Sequence, residues 1–179
     1  MSNLDPLLKR NRSFAQSGAH YGITVIPNHH LFVITCMDPR VDPAHILGIE
    51  LGDAIVLRNA GGRVTDDVIR DIAFIAAVTE RTLGDDAPVF EVAILHHTVC
   101  GTGFLANDDF RHSFADRIGA AEEELARHAV IDPIQSVLVD VEMLLASPLL
   151  PSRVFVSGHV YDVATGLVTT AAAPIGTAG

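Results

Sequence analysis

Runs of apolar residues alternate with helical patterns along the chain. Three runs of strand length are HLFVIT, AIVL and PVFEVAIL, at His30–Thr35, Ala54–Leu57 and Pro88–Leu95. Such near-continuous apolar runs are typical of strands covered on both faces, as in a parallel sheet. Further along, Arg153–Thr170 predicts a strand and a turn at Ala164–Gly166, which adds an edge to that sheet.

Two longer segments have the periodicity of buried helices. The first has an N-cap at Thr65, acidic residues in its first turn and an end at Gly84, and its apolar residues cover much of the circumference. The second begins at Asp132–Pro133, a cap followed by proline at the first helical position. Its apolar face consists of Ile134, Val137, Leu138, Val141, Leu144 and Leu145.

The two ends of the chain are predicted to lie outside this core. Residues 1–20 predict a helical arm that packs on the body or on a second subunit, because four large apolar residues follow helical spacing. Residues 171–179 have little to bury and predict a flexible tail, or an arm on a partner. The four apolar residues of the arm are Leu4, Leu7, Leu8 and Phe14.

The alternation of strands and helices predicts one α/β domain over residues 1–179. We expect a central, mostly parallel sheet flanked by helices, with an added C-terminal edge strand. A chain of 179 residues with 49% hydrophobic and 19% charged residues has the composition of a globular protein. Its length is sufficient for one compact core.

The net charge, the length of the apolar runs and the cysteine content indicate which partners and which location to expect. The net charge of −10 comes from 12 basic and 22 acidic residues, so the surface repels phosphate backbones and we predict no nucleic-acid partner. The apolar runs are far shorter than the roughly 20 residues of a spanning helix, so we predict no membrane partner. With two cysteines and no signal-peptide pattern at the start, a reducing, cytoplasmic location is expected.

Two short motifs directly follow predicted strands and together predict a metal site. Cys36 follows the first strand, and His97 and Cys100 follow the third. Because the carboxyl ends of parallel strands lie at one edge of a sheet, the two motifs are expected to meet in space. Two thiolates and one imidazole suit Zn²⁺, and three protein ligands leave the fourth tetrahedral position free for catalysis.

Asp38 and Arg40 are the predicted catalytic residues beside that position. Asp38 can reach the fourth position, or a water molecule that occupies it, and the Arg40 guanidinium can hold the carboxylate through a bidentate pair. Arg40 would thereby either pull Asp38 off the metal or keep it as a hydrogen-bond acceptor. In a closed state Asp38 itself is a possible fourth ligand.

Each of these residues also has a purely structural interpretation. Buried free cysteines are common and inert, and a histidine at a strand end is usually only hydrogen-bonded. A structural zinc site normally has four Cys or His ligands, and only His96 is near enough in sequence to complete such a set. The RNAGG segment that follows the second strand lacks a phosphate-binding fingerprint, so its glycines predict a tight turn and Arg58 a structural role.

The two motifs resemble those of the β-class carbonic anhydrases, C-x-D-x-R and H-x-x-C. They stand here as Cys36-Met37-Asp38-Pro39-Arg40 and His97-Thr98-Val99-Cys100. The resemblance extends over Ile46–Ala73 and Gly158–Gly166, and therefore spans most of the chain. It also points to the compact branch of the family, which includes enzymes that hydrolyse carbonyl sulfide or carbon disulfide with the same metal ligands.

The resemblance implies a zinc enzyme in which a metal-bound hydroxide attacks a linear, CO2-type substrate. The expected reaction is the reversible hydration of CO2 to bicarbonate, and the alternative on the same scaffold is the hydrolysis of carbonyl sulfide to H2S and CO2. A more remote alternative is a zinc- or thiol-based redox sensor without turnover. The resemblance further implies a homodimer, or a multiple of dimers, whose active-site cleft is completed by the neighbouring subunit.

Overall fold

Five strands form a single sheet in the computed structural model, which describes residues 2–84, 87–150 and 153–177. The strands are β1 (Leu31–Cys36), β2 (Ala54–Asn59), β3 (Phe90–His97), β4 (Val154–Tyr161) and β5 (Val168–Gly176). Their order is β2-β1-β3-β4-β5, with parallel pairing from β2 to β4 and antiparallel pairing between β4 and β5. The predicted mostly parallel sheet with a C-terminal edge strand is confirmed.

The helices lie between and around these strands. They are α1 (Asp5–Ser17), α2 (Pro43–Ile46), α3 (Asp66–Leu83), α4 (Asp108–Ile118), α5 (Glu122–His128) and α6 (Pro133–Leu145). Two 3₁₀ turns, Ala60–Gly62 and Gly101–Ala106, follow β2 and the loop after β3. None of the helices in the described part of the chain is long and apolar enough to cross a membrane.

Helices α3 and α6 begin at the caps that the sequence predicts. The Thr65 side chain accepts a hydrogen bond from the backbone N–H of Val68, and the Asp132 carboxylate accepts from the N–H groups of Ile134 and Gln135. Both helices pack on the same face of the sheet. The main core lies there, and its side chains include Phe32, Ile34, Val92, Ile94, Val156, Val68, Ile72, Val137, Val141 and Leu144.

The C-terminal segment differs from the predicted flexible tail. Residues 171–176 belong to strand β5, where Ala172 pairs with Gly158 and Ile175 with Val156. The prediction was wrong because it rested only on the small side chains of this segment. Without β5, the edge of β4 would expose unpaired backbone N–H and C=O groups, and β5 forms hydrogen bonds with them. Residues 178–179 lie outside the described part of the chain.

The N-terminal segment forms the predicted helix, and its apolar side chains remain uncovered. None of the residues of α1 is buried, and Leu4, Leu7, Leu8 and Phe14 are 41–52% exposed. Helix α1 therefore does not pack on the body of its own chain. Packing on a second subunit, the other half of the expectation, stays a prediction.

Candidate metal centre

The carboxyl ends of the parallel strands lie along one edge of the sheet, and the predicted metal ligands lie there. Cys36 is the last residue of β1 and His97 the last residue of the neighbouring strand β3, while Cys100 follows three residues later. All three side chains are buried. Their ligand atoms lie within 4.8 Å of one another, so the structure brings together the three residues that the sequence predicts as ligands.

The distance between the two sulfur atoms fits a tetrahedral metal. Cys36 Sγ and Cys100 Sγ are 3.9 Å apart. With zinc–sulfur bonds of about 2.3 Å and tetrahedral angles, two thiolates on one ion lie about 3.8 Å apart. A disulfide requires about 2.05 Å, and both cysteines are free.

His97 presents an available lone pair on this side. Its Nδ1 donates to the Thr98 carbonyl at 2.9 Å, because a carbonyl can only accept, and this leaves Nε2 as the unprotonated nitrogen. Nε2 is buried and has no hydrogen-bond partner within the described residues. An orphaned acceptor among two sulfurs is the arrangement that a metal ion satisfies. The donor set therefore fits Zn²⁺.

A hydrogen bond between the two sulfurs couples the ionisation of the thiols. Their mutual hydrogen bond raises the pKa of Cys36 and lowers the pKa of Cys100 well below its ordinary range, and Thr102 Oγ1, 3.2 Å from the Cys100 sulfur, acts in the same direction on Cys100. The backbone N–H of Asp38 donates to the Cys36 sulfur at 3.4 Å. A metal that binds both sulfurs as thiolates displaces the protons that they carry, so metal binding is expected to depend on pH.

Asp38 and Arg40 form a bidentate ion pair beside the ligands. Arg40 Nε donates to Asp38 Oδ1 at 2.9 Å, and Arg40 Nη2 donates to Oδ2 at 2.6 Å. The Arg40 hydrogen bonds lower the pKa of Asp38 to about 2. Arg40 Nη2 also donates to the carbonyl of Val99, in the His97–Cys100 loop, at 3.0 Å. One guanidinium thus ties the first motif to the second.

Val99 adopts a backbone conformation that β-branched residues rarely use. Its φ is +54°, although its side chain is 76% exposed and packs against little of its own chain. The left-handed conformation lies between His97 and Cys100 and belongs to the turn whose carbonyl receives Arg40. Strained backbone of this kind persists where the surrounding contacts over-determine it.

Arg58 holds the loop that carries Asp38. Its Nε donates to the Cys36 carbonyl at 3.0 Å, Nη2 to the Asp38 carbonyl at 2.7 Å, and Nη1 to the Asp42 carboxylate at 2.8 Å. The first two bonds fix the backbone on both sides of Met37, and the third ties the guanidinium to the start of α2. The structural role predicted for Arg58 agrees with these contacts.

A buried polar network behind the ligands was not predicted from the sequence. It consists of Arg63, which follows the 3₁₀ turn after β2, His96 on β3 and Asp140 on α6. From the sequence, His96 was considered as a possible fourth ligand of a structural zinc site. The available signal was Asp140, one acidic residue on the otherwise apolar face formed by Val137, Val141 and Leu144.

The known proteins to which this chain is similar include carbonic anhydrases and carbon disulfide hydrolases. The family model described as carbonic anhydrase matches residues 31–168. Beta-carbonic anhydrase 1 of Mycobacterium tuberculosis is 34% identical over 166 residues, which cover 93% of this chain and 96% of that protein. A carbon disulfide hydrolase of Acidianus is 32% identical, with 90% of this chain and 85% of that protein covered.

The fold comparison agrees with the sequence comparison. The crystal structure of carbonic anhydrase from Streptococcus mutans superimposes with a TM-score of 0.78 at 35% sequence identity, covering 96% of this chain and 98% of that one. The match includes the sheet that carries Cys36 and His97. The chain belongs to the β-class carbonic anhydrase family, which has relatives among the carbon disulfide hydrolases.

Proposed function

We propose that this protein is a zinc-dependent enzyme that hydrates CO2 reversibly to bicarbonate. The observation that carries the proposal is the buried Cys36–His97–Cys100 cluster with an Asp38–Arg40 ion pair beside it. When bound, zinc supplies a Lewis acid that lowers the pKa of a coordinated water molecule and so provides a nucleophile near neutral pH. The remaining requirements, orientation and proton acceptance, fall to the chain's own residues.

Asp38 is suited to orient a donor at the fourth position. With a pKa of about 2 its carboxylate is ionised over the whole physiological range, and an ionised carboxylate only accepts hydrogen bonds. Asp38 Oδ1 accepts from both the backbone N–H and Nε of Arg40, whereas Oδ2 accepts only from Nη2 and keeps a second lone-pair direction. We assign Asp38 the role of acceptor and Arg40 the role of holding it in place.

The ion pair also supports an open fourth position. Both oxygens of Asp38 are engaged by Arg40, and the potential ligand cluster of the described residues comprises Cys36, His97 and Cys100 without Asp38. Coordination by Asp38, the closed state, would require its carboxylate to move toward the three ligands. We therefore assign the arrangement to the open state, in which a small substrate can reach the nucleophile.

A second candidate reaction is hydrolysis of the sulfur analogues of CO2. It is favoured by the similarity to carbon disulfide hydrolases, which reaches 32% identity over 90% of the chain. Carbonyl sulfide and carbon disulfide are linear and electrophilic at carbon like CO2, so the same nucleophile would attack them. The ligand set is compatible with each of these substrates.

A redox sensor is the remaining candidate from another class. The 3.9 Å separation of the two sulfurs would let a modest movement join them in a disulfide. The orphaned Nε2 of His97 favours metal binding over this alternative, because a disulfide would leave that nitrogen unsatisfied. A stoichiometric metal content in protein purified without chelators would exclude the metal-free sensor.

We also propose a homodimer, or a multiple of dimers, that lies in the cytoplasm and takes a small-molecule substrate. The uncovered apolar side chains of α1 support a second copy, because an isolated helix with exposed leucines gains stability by packing. The net charge of −10 supports the absence of a nucleic-acid partner.

The deciding experiment compares substrates on one zinc-loaded preparation. We expect stopped-flow kcat/KM for CO2 to exceed the values for carbonyl sulfide and carbon disulfide, and to rise through the neutral-to-alkaline range. Asp38→Ala should lose most activity and retain zinc, whereas Cys36→Ala should lose zinc. The matched control is Asp67→Ala, which breaks an exposed Asp–Arg pair on α3. Faster turnover of a sulfur substrate would replace the proposal by the second candidate.

A further inference from the structure

Asp140 is a fully buried carboxylate that receives four hydrogen bonds. Arg63 donates to it through Nε and Nη2, each at 2.8 Å, and the backbone N–H of Val64 donates at 3.1 Å. The fourth bond joins Asp140 Oδ2 to His96 Nε2 at 3.1 Å. Asp140 is thus the point at which helix α6, the segment after β2 and strand β3 are joined.

The geometry also fixes the tautomer of His96. Its Nε2 lies 3.1 Å from the Asp140 carboxylate and 3.2 Å from the Gly62 carbonyl. Both neighbours are acceptors, so Nε2 must carry the hydrogen and be shared between them. The ring therefore connects Asp140 to the backbone of the glycine turn.

That glycine turn lies directly against the backbone of Cys36. Gly62 has φ +68°, and a Cβ atom there would lie 2.8 Å from the Cys36 backbone nitrogen. The Asn59 side chain closes the turn through two bonds with the backbone of Arg63, at 2.8 and 2.9 Å. Contacts that fix the position of Arg63 therefore also fix the glycine turn, which lies against Cys36.

The same carboxylate also reaches the second ligand strand. His96 precedes His97 on β3, and successive side chains of a strand point to opposite faces. The bond between His96 and Asp140 therefore anchors the end of β3, directly before the proposed ligand His97. Both Cys36 and His97 depend on contacts that converge on Asp140.

Stability alone does not account for this network. Burial disfavours the charge of Asp140, and the hydrogen bonds from His96 and Arg63 outweigh that effect, so its pKa is lowered. The side chains of Arg63 and Asp140 are only 10% and 1% exposed. Apolar residues of similar volume often stabilise a core as well as a buried ion pair does, because they avoid its desolvation. An ionic group at this position calls for a geometric reason.

We propose that Asp140 is a positioning residue for the metal centre, acting through Arg63, Val64 and His96 to hold the Gly61–Gly62 turn and the end of β3 around the ligands. The inference rests on the proposed function only in requiring that Cys36, His97 and Cys100 bind a metal. Groups that orient ligands in this way typically change metal affinity 10- to 100-fold when they are removed.

The test uses Co²⁺ as a probe of the full-length protein, since its thiolate charge-transfer and d–d bands report geometry. We expect Asp140→Asn to bind Co²⁺ at least about tenfold more weakly than the unsubstituted protein and to show shifted d–d bands. The control is Val141→Ala, the next residue of α6, which opens a cavity beside Gly158 without touching the network. Val141→Ala should lower the melting temperature and leave Co²⁺ affinity within twofold.

A third variant covers the case in which Asp140→Asn does not fold. Arg63→Lys keeps the positive charge and loses the two-armed contact, and it should weaken Co²⁺ binding less than Asp140→Asn does. Unchanged Co²⁺ affinity and spectrum in a folded Asp140→Asn protein, or in Arg63→Lys when the former is unfolded, would overturn the inference. An equal loss of affinity in Val141→Ala would also overturn it.

Failure of the proposed function is distinguishable from failure of this inference. If the unsubstituted protein binds Co²⁺ tightly and its zinc form does not hydrate CO2, the proposed reaction is wrong, whereas the dependence of affinity on Asp140 is still measured. If the unsubstituted protein binds no Co²⁺, both are wrong.

Discussion

Both carboxylate oxygens of Asp38 accept hydrogen bonds from the guanidinium of Arg40, at 2.9 and 2.6 Å, and the same guanidinium reaches the carbonyl of Val99. The pair is therefore more than a local contact within one motif. It spans the two loops that carry the proposed ligands, and it determines which way the Asp38 carboxylate faces.

The first prediction concerns the release of this carboxylate. Arg40→Ala should lower kcat/KM for CO2 about 10²-fold, because a misplaced catalytic group typically costs that factor, with zinc content unchanged. Arg40→Lys should recover only part of the loss, since an ammonium cannot hold both oxygens. Arg70→Ala, which breaks the exposed pair with Asp67, is the control. Full activity in Arg40→Ala would show that Arg40 is not needed to hold Asp38 in place.

A second prediction follows from the depressed pKa of Asp38. Its carboxylate has a pKa of about 2 in the folded protein against an ordinary 3.8. The stability that it contributes is thus fully present above about pH 4 and is lost as the pH falls through about 2. We expect urea denaturation of metal-free Asp38→Asn to show a shallower decline over this range than the unsubstituted protein. Parallel curves would contradict the ion pair.

The third prediction concerns removal of the metal. A bound ion uses both thiolates, so a chelator should make Cys36 and Cys100 reactive toward a thiol reagent, and mild oxidation should then join them in an intramolecular disulfide. Thiol titration and mass spectrometry measure both steps. Equal thiol reactivity before and after chelation would argue against metal ligation by these cysteines.

The fourth prediction uses two glycines with similar backbone angles. Gly62 and Gly166 have φ of +68° and +74°, but only at Gly62 would a Cβ meet backbone atoms, at 2.8 Å, because Gly166 has open space around it. Gly166→Ala should cost about 1–2 kcal/mol of unfolding free energy. Gly62→Ala should cost about 3 kcal/mol or more, since overlap adds about 1–3 kcal/mol to the conformational strain. Denaturation of both variants decides this, and equal losses would contradict it.

The fifth prediction addresses helix α1. Replacing Leu7 and Leu8 by lysine should shift the proposed dimer toward monomer, since both side chains are about half exposed on a helix that buries nothing. Sedimentation velocity measures the change. The matched control replaces Arg10 and Arg12, on the same helix, by alanine. An unchanged sedimentation coefficient in the lysine variant would show that α1 takes no part in assembly.

The parts of the site that could be predicted are those fixed by topology. Apolar runs covered on both faces indicate parallel strands, and parallel strands bring the residues that follow them to one edge. The sequence alone therefore predicts that Cys36 and His97 lie at the same edge of the sheet. Only the strand order has to be known to place both residues at the same edge. Short crossover connections largely determine that order.

Other features depend on contacts that a linear pattern does not contain. The partner of Asp38 could have been Arg40 or a metal, because both suit a carboxylate at that spacing. Asp140 is 77 residues from Arg63, and only the packing of α6 on β3 brings them together. Residues 171–176 of strand β5 were predicted as a tail because their alanines carry little hydrophobic signal, whereas the backbone bonds of β5 to β4 are independent of side-chain type.

The positions of Cys36 and Cys100 have a further consequence for the lifetime of the protein. The two residues are 64 positions apart, so a shared ion acts as a removable cross-link over a long stretch of chain. Covalent cross-links of comparable span restrict the unfolded chain by about 4 kcal/mol. If the bound ion is zinc, as proposed, a cell short of zinc would contain a population that unfolds and is degraded more readily. Enzyme abundance, as well as turnover, would then follow the supply of the metal.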